Sequence, residues 1–187
     1  MQPAMANKMP LSFWLTVLAM VTQIHGDTWP QIQKDVGDYP DTNTAPLLAD
    51  LNNGVDPDTT GPNGWTALHI AAGLNKPEMA KILKQKGANL NIQDSFSYTP
   101  LHVAAGLDTV FVMRKLLPGA NIEIKGPNQW TPLHVAAGNS AAESAGILMA
   151  NSANSNAVES HGWTPLHIAV GNGHLLLVKT ILSFPTA

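Results

Sequence analysis

The chain has 187 residues, of which 44% are hydrophobic, and a net charge of −3. This size and composition predict one folded domain of ordinary size with a short extension. No cysteine is present, which excludes disulfides, thiol catalysis and thiolate metal sites.

The N-terminal segment indicates export. Lys8 is followed by LSFWLTVLAMV, an uncharged apolar run over residues 11–21. A dozen residues are too few to span a membrane, which takes roughly 20. A basic start, a short apolar core and small residues are typical of a secretory signal peptide. We predict a signal peptide over residues 1–26, cleaved after Ala19 or Gly26, and a secreted or periplasmic mature protein without a membrane span. Alternatively, the segment is a buried helix of the domain and the protein is cytoplasmic.

The charges are unevenly distributed. Residues 27–63 carry seven acidic side chains and one lysine, whereas residues 64–126 carry seven basic and four acidic side chains. A solvated helical face accounts for the lysines, because no Arg-rich run or known reading motif accompanies them. We expect no nucleic-acid partner.

One decapeptide occurs four times in the chain. Its copies are GWTALHIAAG (64–73), SYTPLHVAAG (97–106), QWTPLHVAAG (129–138) and GWTPLHIAVG (162–171). The four threonines are spaced by 33, 32 and 33 residues, a period typical of a solenoid. In each copy the threonine is a candidate helix N-cap, and proline or alanine follows at the first helical position.

A second helical segment follows each copy, over 76–86, 109–117, 141–150 and 174–182. Turns at Gly87 and Gly119 end the first two, because glycine adopts the positive φ of a helix stop at little cost. Each unit is therefore a turn, a short helix and an antiparallel longer helix, and one unit alone cannot bury its apolar face.

These residues resemble the ankyrin repeat, with its T-P-L-H and A-A positions and a G-A-x-x-N ending. The resemblance implies an all-α solenoid of stacked helix-turn-helix units with projecting β-turn or hairpin loops. It covers four repeats over residues 64–187. More weakly, LLADLNNGVDPD (47–58) aligns with ILKQKGANLNIQ (82–93), so that residues 27–63 form an acidic leader and a degenerate N-capping repeat.

Three departures from the pattern carry expectations. The second unit lacks one residue before Pro118, which shortens its outer helix. The third has Ser152 in place of the glycine stop and Gly146 within its outer helix, so we expect it to be the least stable unit. The last helix, HLLLVKTIL (174–182), is more apolar than a terminal cap requires. Its three consecutive leucines cannot all point inward, so either something covers this end or the protein self-associates through it.

No motif predicts catalysis, a metal or a cofactor. His69, His102, His134 and His167 occur once per unit, so they do not converge on one ion, and the resemblance implies bonds within and between units for them. The segment D-P-D-T-T-G (56–61) resembles the start of a calcium loop, but its twelfth position is Ala67 instead of glutamate. We expect no enzyme activity and no cofactor.

The candidate binding residues lie around the capping threonines. An aromatic residue precedes each one, and aromatic side chains are enriched at interface hot spots. Neighbouring turn residues extend this row, and a glycine closing each decapeptide (73, 106, 138 and 171) is expected to leave a shallow groove beside it. Alternatively, each aromatic ring packs on the neighbouring turn and stiffens the stack. The predicted partner-binding residues are Asn63, Trp65, Phe96, Tyr98, Asn128, Trp130, His161 and Trp163.

The sequence therefore predicts an exported, non-enzymatic protein that binds an unidentified protein partner through its turns and concave face. The alternatives are a structural subunit that self-associates through its apolar C-terminal helix and a cytoplasmic regulatory adaptor.

Overall fold

The structure is a computed structural model that describes residues 30–184, and within this range the chain forms ten α-helices and no strand. The predicted signal peptide and its two cleavage positions lie outside the described residues. The helices are α1 (Gln31–Asp38), α2 (Ala45–Asn52), α3 (Ala67–Gly73), α4 (Pro77–Gln85), α5 (Pro100–Leu107), α6 (Val110–Leu116), α7 (Pro132–Gly138), α8 (Ala142–Ala150), α9 (Pro165–Gly171) and α10 (Leu175–Leu182).

The helices are arranged in pairs that stack in chain order. The inner helices α1, α3, α5, α7 and α9 pack successively on one another, and the outer helices α4, α6, α8 and α10 form a second layer behind them. Each inner helix also packs against the outer helix that follows it. The structure confirms the predicted solenoid. Helices α1 and α2 form a leading pair in front of unit one (α3 and α4), unit two (α5 and α6), unit three (α7 and α8) and unit four (α9 and α10).

Small side chains set the distance between inner helices. Each inner helix of units one to three carries two adjacent alanines that are completely buried, for example Ala104 and Ala105 in α5. A leucine two residues after each capping threonine fills the space toward the outer helix, as Leu68 and Leu101 do. Because close-packed interiors tolerate little change in volume, the alanines allow close helix contact that larger residues would prevent.

The inner helices begin at the predicted threonine caps. The hydroxyl oxygen of Thr99 accepts a hydrogen bond from the His102 backbone N–H, and the Thr99 N–H donates to Nδ1 of His102 at 3.2 Å. The same reciprocal capping box starts α3, α7 and α9. Two of the orphan N–H groups at each helix start are thereby satisfied within one motif.

The outer helices of the first three units begin with a cap supplied by the preceding pair. The Asp41 carboxylate accepts from the Glu78 and Met79 N–H groups at the start of α4. Asp108, at φ 55°, accepts from the Ser144 N–H of α8 at 2.8 Å. Asn75 occupies the equivalent place before α6, and its Oδ1 accepts from the Val112 N–H. Each outer helix is therefore completed only when its neighbour is folded.

Lys76 ties the leading pair to unit one. Its ammonium group donates to the carbonyls of Val36, Gly37 and Tyr39 at 2.6, 2.8 and 2.6 Å, which are the free carbonyls at the end of α1. Burial lowers the pKa of Lys76, and the nearby Asp41 carboxylate opposes that shift. A cation at the C-terminus of a helix also interacts favourably with the helix dipole.

The third unit contains three unfavourable features. Ser152 adopts φ 66°, a conformation that costs a serine more than the glycine found at φ 90° in unit one. The Ser144 hydroxyl is buried without a hydrogen-bond partner, where unit one has Met79. Gly146 lies inside α8, where a Cβ would meet only the Thr180 methyl at 3.6 Å.

The outer helix of the shortened second unit is seven residues long, against nine for α4 and α8.

We predict that Gly146→Ala stabilises the protein by about 0.5–1 kcal/mol, because alanine is the better helix former and the added methyl makes an ordinary contact. Amides of α8 are expected to exchange faster than those of α4 in the native protein, and the substitution is expected to slow them. Urea unfolding and hydrogen-exchange mass spectrometry measure the two effects.

The control is Gly138→Ala, which makes the same chemical change in α7. Its Cβ would lie 2.9 Å from Cζ3 of Trp130, so it is expected to destabilise the protein. Equal exchange rates in α4 and α8, or a loss of stability in Gly146→Ala, would contradict the assignment of unit three as the weakest unit.

Candidate functional site

The aromatic residues before the capping threonines are mostly buried. Trp65, Tyr98 and Trp130 expose only 1%, 5% and 3% of their surface, and Trp163 is half-buried. Three of the four rings therefore pack inside the stack, as the ladder alternative proposes, and they offer little surface to a partner. The backbone carbonyl of each aromatic residue pairs with the amide four residues earlier, for example Trp130 with Gly126 at 2.7 Å.

Two of the glycines that close the decapeptides lie against the tryptophan ring of their own unit. A Cβ at Gly138 would lie 2.9 Å from the Trp130 ring, and a Cβ at Gly171 would lie 3.7 Å from the Trp163 ring. The missing side chain makes room for the ring of the same unit. The expectation of an empty groove is wrong at Gly138, because the Trp130 ring fills the space, whereas at Gly171 an added Cβ would make an ordinary contact.

The exposed residues lie at the apex of each turn, three positions before the capping threonine. Units one and three have asparagine at this position, while units two and four have phenylalanine and histidine. We call these four residues the tip row: Asn63, Phe96, Asn128 and His161. All four belong to the predicted binding set. Phe96 is the large apolar member, with 44% of its surface exposed. The structure thus separates the predicted residues into a buried set and an exposed set.

A buried carboxylate holds the Phe96 tip. Oδ1 of Asp94 accepts from the N–H groups of Phe96 and Tyr98 at 2.9 and 2.8 Å. Its Oδ2 accepts from the Trp65 indole N–H at 3.0 Å, and so connects two units. Burial raises the pKa of Asp94, and these three hydrogen bonds oppose the rise.

Glu159 holds the His161 tip in the same way. Its Oε1 accepts from the N–H groups of His161 and Trp163 at 2.7 and 3.2 Å. Burial alone would raise the pKa of Glu159, but hydrogen bonds from His161, Trp163 and Ser160 hold it below its usual value. Sequence reasoning did not select Asp94 or Glu159. The signal available was an acidic residue five positions before the threonine in units two and four.

The tips are connected in pairs. The Ser95 N–H donates to the Asn63 carbonyl, and the Ser160 N–H donates to the Asn128 carbonyl, both at 2.9 Å. Between units two and three the corresponding position is Pro127, which has no N–H to donate. Units one and two therefore share one backbone bond between their tips, and units three and four share another.

Trp130 differs from Trp65 in one respect. Trp65 donates its indole N–H to Asp94 of the next unit, whereas the buried indole N–H of Trp130 has no hydrogen-bond partner. The residue equivalent to Asp94 is Glu159, whose second oxygen contacts His161 and Ser160 instead. A buried unsatisfied donor costs about 1–3 kcal/mol.

The motif histidines join each unit to the next. Nδ1 of His69 accepts from the Thr66 N–H at 3.2 Å, so the neutral ring carries its proton on Nε2, which lies 3.0 Å from the Tyr98 carbonyl. His102 and His134 make the same bonds to the carbonyls of Trp130 and Trp163. This confirms the structural role that the resemblance implies. Both ring nitrogens are occupied, so these three side chains do not offer a lone pair to a metal.

Burial keeps these histidines neutral. Desolvation lowers the pKa of His69 and of His102 to about 4, against the weaker opposing effect of the carbonyl bond. It also lowers the pKa of His134, which is likewise buried. The helix cap accepted by Nδ1 therefore depends on a neutral imidazole, whereas the Nε2–H donor to the next unit is present in both protonation states.

Two polar clusters do not form a reactive or metal site. Nδ1 of His161 lies 3.0 Å from the Glu159 carboxylate and 3.1 Å from the Ser160 hydroxyl. A proton relay would need the two contacts on different ring nitrogens. In the calcium-like segment, the Asp58 carboxylate accepts from the Asn89 N–H, so it serves the turn between two units.

Among residues 30–184, no helix is long and apolar enough to cross a bilayer.

The chain is similar to known ankyrin repeat proteins. A family model described as ankyrin repeats (3 copies) matches residues 38–126 and 108–186. An ankyrin repeat-containing protein of Schizosaccharomyces pombe is 34% identical over 68 residues, which cover 36% of this chain and 33% of that protein. The Drosophila melanogaster neurogenic locus Notch protein is 33% identical over 103 residues, 52% of this chain and 4% of that protein.

A third relative is ankyrin repeat and SOCS box protein 3 of Bos taurus, 52% identical over 42 residues, 22% of this chain and 8% of that protein. The chain thus spans a third or less of the length of these relatives.

We predict that the protein loses stability as the pH falls from 7 to 5. The unfolded histidines titrate near pH 6.5 and the folded His69 and His102 near pH 4, so the unfolded chain binds more protons in this window. At pH 5 the loss is on the order of 2 kcal/mol for each of the two. Urea unfolding at both pH values measures it.

Proton NMR supplies the control for this pH dependence. The ring signals of His69 and His102 are expected to stay unchanged between pH 7 and pH 5 in the folded protein. A urea midpoint that is the same at both pH values would contradict the neutral, buried state of these rings.

We predict that Glu159→Asp stabilises the protein by about 1 kcal/mol, because the shorter carboxylate is placed as Asp94 is and can accept from the Trp130 indole N–H. Urea unfolding measures the gain, and slower exchange of the Trp130 indole proton identifies its source. The matched control is Asp94→Glu, which is expected to break the bond to Trp65 and to destabilise the protein. Unchanged exchange of the Trp130 indole proton in Glu159→Asp would contradict the explanation.

Proposed function

This chain belongs to the ankyrin repeat family, whose repeats are protein–protein interaction modules, and on that premise we propose that it is an exported adaptor or accessory protein that binds a protein partner through its tip row. The family is generally non-enzymatic. The tip row and the adjoining concave face of the inner helices form the proposed contact surface.

The exposure of Phe96 is the observation that carries this proposal. An aromatic side chain that is 44% exposed at a turn apex offers apolar area with few rotatable bonds to immobilise. Its neighbours in the tip row, Asn63 and Asn128, are exposed and polar. An apolar centre with a polar rim is the usual anatomy of a protein interface.

The rigidity of the tips supports the same function. The Phe96 turn is fixed by the Asp94 carboxylate and by the bond from Ser95 to Asn63. A loop that is already ordered loses less conformational freedom on binding, and this increases affinity. The rings of Trp65 and Tyr98 are buried, so they contribute to binding by positioning the turns.

Export remains a proposal that rests on the N-terminal sequence. The basic residue, the apolar run over 11–21 and the small residues after it are typical of a secretory signal peptide. N-terminal sequencing of the protein from its native source tests this: a chain that begins at Met20 or Asp27 supports export, and a chain that begins at Met1 contradicts it.

We predict that Phe96→Ala weakens partner binding at least about tenfold without unfolding the protein, because the side chain is exposed and its truncation leaves no cavity. The matched control is Phe111→Ala, which removes a ring that is 62% exposed on the outer helix α6. Affinity capture from the extracellular or periplasmic fraction, quantified by mass spectrometry, compares both variants with the wild type.

The expected result is a set of proteins that the wild type and Phe111→Ala capture and Phe96→Ala does not. Urea midpoints establish that both variants are folded. Identical captured sets for Phe96→Ala and Phe111→Ala would count against the tip row as the contact surface.

A further inference from the structure

The C-terminal side of unit four exposes side chains whose equivalents in unit three are buried or partly buried. Val170, Leu175 and Leu182 expose 61%, 66% and 65% of their surface. The residue equivalent to Val170 in unit three is Ala137, which is completely buried, and that equivalent to Leu182 is Met149, which is 9% exposed. We call this surface the end face, and it consists of Thr164, His167, Val170, Leu175 and Leu182.

Comparison with the inner units separates the end face from the ordinary outer surface. Leu176 is 68% exposed, but its equivalent in unit two, Phe111, is 62% exposed although another unit follows it. Leu176 therefore lies on the lateral surface of the stack. Val170, Leu175 and Leu182 are exposed because no unit within residues 30–184 packs on them.

His167 shows that the end face is built for contact. Its Nδ1 accepts from the Thr164 N–H at 3.2 Å, as in the other units, so Nε2 carries the proton and is a donor. In units one to three this donor reaches a carbonyl of the following unit, as His134 reaches Trp163. The His167 ring is exposed, and no following unit within residues 30–184 supplies a carbonyl to this donor.

A groove runs between α9 and α10 on the same side. Its volume is about 330 Å³. It is lined by the apolar Leu166, Ile181, Leu182 and Phe184 and by the polar Ser155, Asn156 and Thr164. An apolar groove next to exposed leucines forms a continuous patch of the kind that marks an interaction site.

The charges favour a second copy of the same chain as the occupant. No acidic residue occurs from Thr164 to the end of the sequence, and Lys179 is the only lysine or arginine in that stretch. An apolar face with so little charge is complementary to itself. The leading pair at the opposite end exposes polar residues such as Gln31, Asp38 and Asn43, which do not match a row of leucines.

Val170 argues against a further unit of the ordinary kind as the occupant. At this position units one to three have Ala72, Ala105 and Ala137, all completely buried at the junction between units. Valine is larger, so the close helix approach of the inner junctions is not reproduced here.

We propose that the end face binds the end face of a second copy, so that two chains associate tail to tail around a two-fold axis. Such an interface is isologous and closed, and growth stops at the dimer. The two tip rows remain accessible, so the dimer presents two copies of the proposed binding surface to a partner. The dimer does not depend on the proposed function of the tip row.

The first test is size-exclusion chromatography with light scattering on the full chain, up to about 100 µM, since small interfaces give weak dimers. The expected mass is twice the 19.9 kDa of one chain. The double variant Val170→Lys/Leu182→Lys places like charges opposite each other and is expected to raise the dimer Kd at least about tenfold. Both lysines lie in the last turn of a helix, where a cation is tolerated.

The matched control is Leu176→Lys, which makes the same change at an equally exposed leucine on the lateral surface. Its dimer Kd is expected to stay close to that of the wild type. A wild-type chain that is monomeric at the highest concentration overturns the proposal, and so does equal dissociation of the double variant and Leu176→Lys.

A second test does not depend on the folding of the lysine variants. The chain has no cysteine, so a single introduced one reports on one position. Under mild oxidation, Ser183→Cys beside the end face is expected to form a covalent dimer, whereas Asn43→Cys in the leading pair is not. Cross-linking between a Ser183→Cys chain and an Asn43→Cys chain would show head-to-tail stacking and overturn the two-fold arrangement.

Discussion

The hydrogen bond from the motif histidine of units one to three to a carbonyl of the next unit is the interaction on which the stack depends. His69, His102 and His134 cap their own helix through Nδ1 and reach the following turn through Nε2. One side chain thus fixes both the start of a helix and the position of its neighbour. Protonation of the buried ring would remove the Nδ1 acceptor and with it the helix cap, while Nε2–H would remain a donor.

Bonds between units also explain why no unit stands alone. The carboxylates of Asp41 and Asp108 cap outer helices that belong to the next pair, and Asp94 receives the indole N–H of the preceding Trp65. In a repeat protein, stability is approximately a sum of unit terms and neighbour terms. In this protein many hydrogen bonds at helix ends join neighbouring units and so contribute to the interaction between units. A less stable unit such as the third is therefore stabilised by the units before and after it.

The sequence predicts whatever depends on spacing within one unit. The 33-residue period, the threonine caps and the paired helices all follow from local patterns, and the structure confirms them. The cross-unit caps could not be predicted in this way, because Asp108 and its partner Ser144 are 36 residues apart. Their partnership depends on how far one unit is rotated against the next, which no single unit encodes.

Sequence-based prediction has the same limit within a single turn of the candidate site. The sequence placed Phe96 and Tyr98 in one row, two positions apart, and both are aromatic. The turn separates the two side chains. The Tyr98 carbonyl pairs with the Asp94 N–H and the Tyr98 ring is buried, whereas Phe96 lies at the apex and is exposed.

The glycine at the end of the decapeptide decides where the tryptophan rings lie. Trp130 fits into the stack because Gly138 has no side chain, so the two residues form one packing unit. The buried rings therefore keep the turns in place, and the variable residues are displayed three positions before the threonine. A stack built in this way can change its tip residues from unit to unit without disturbing the core, which is what a binding scaffold requires.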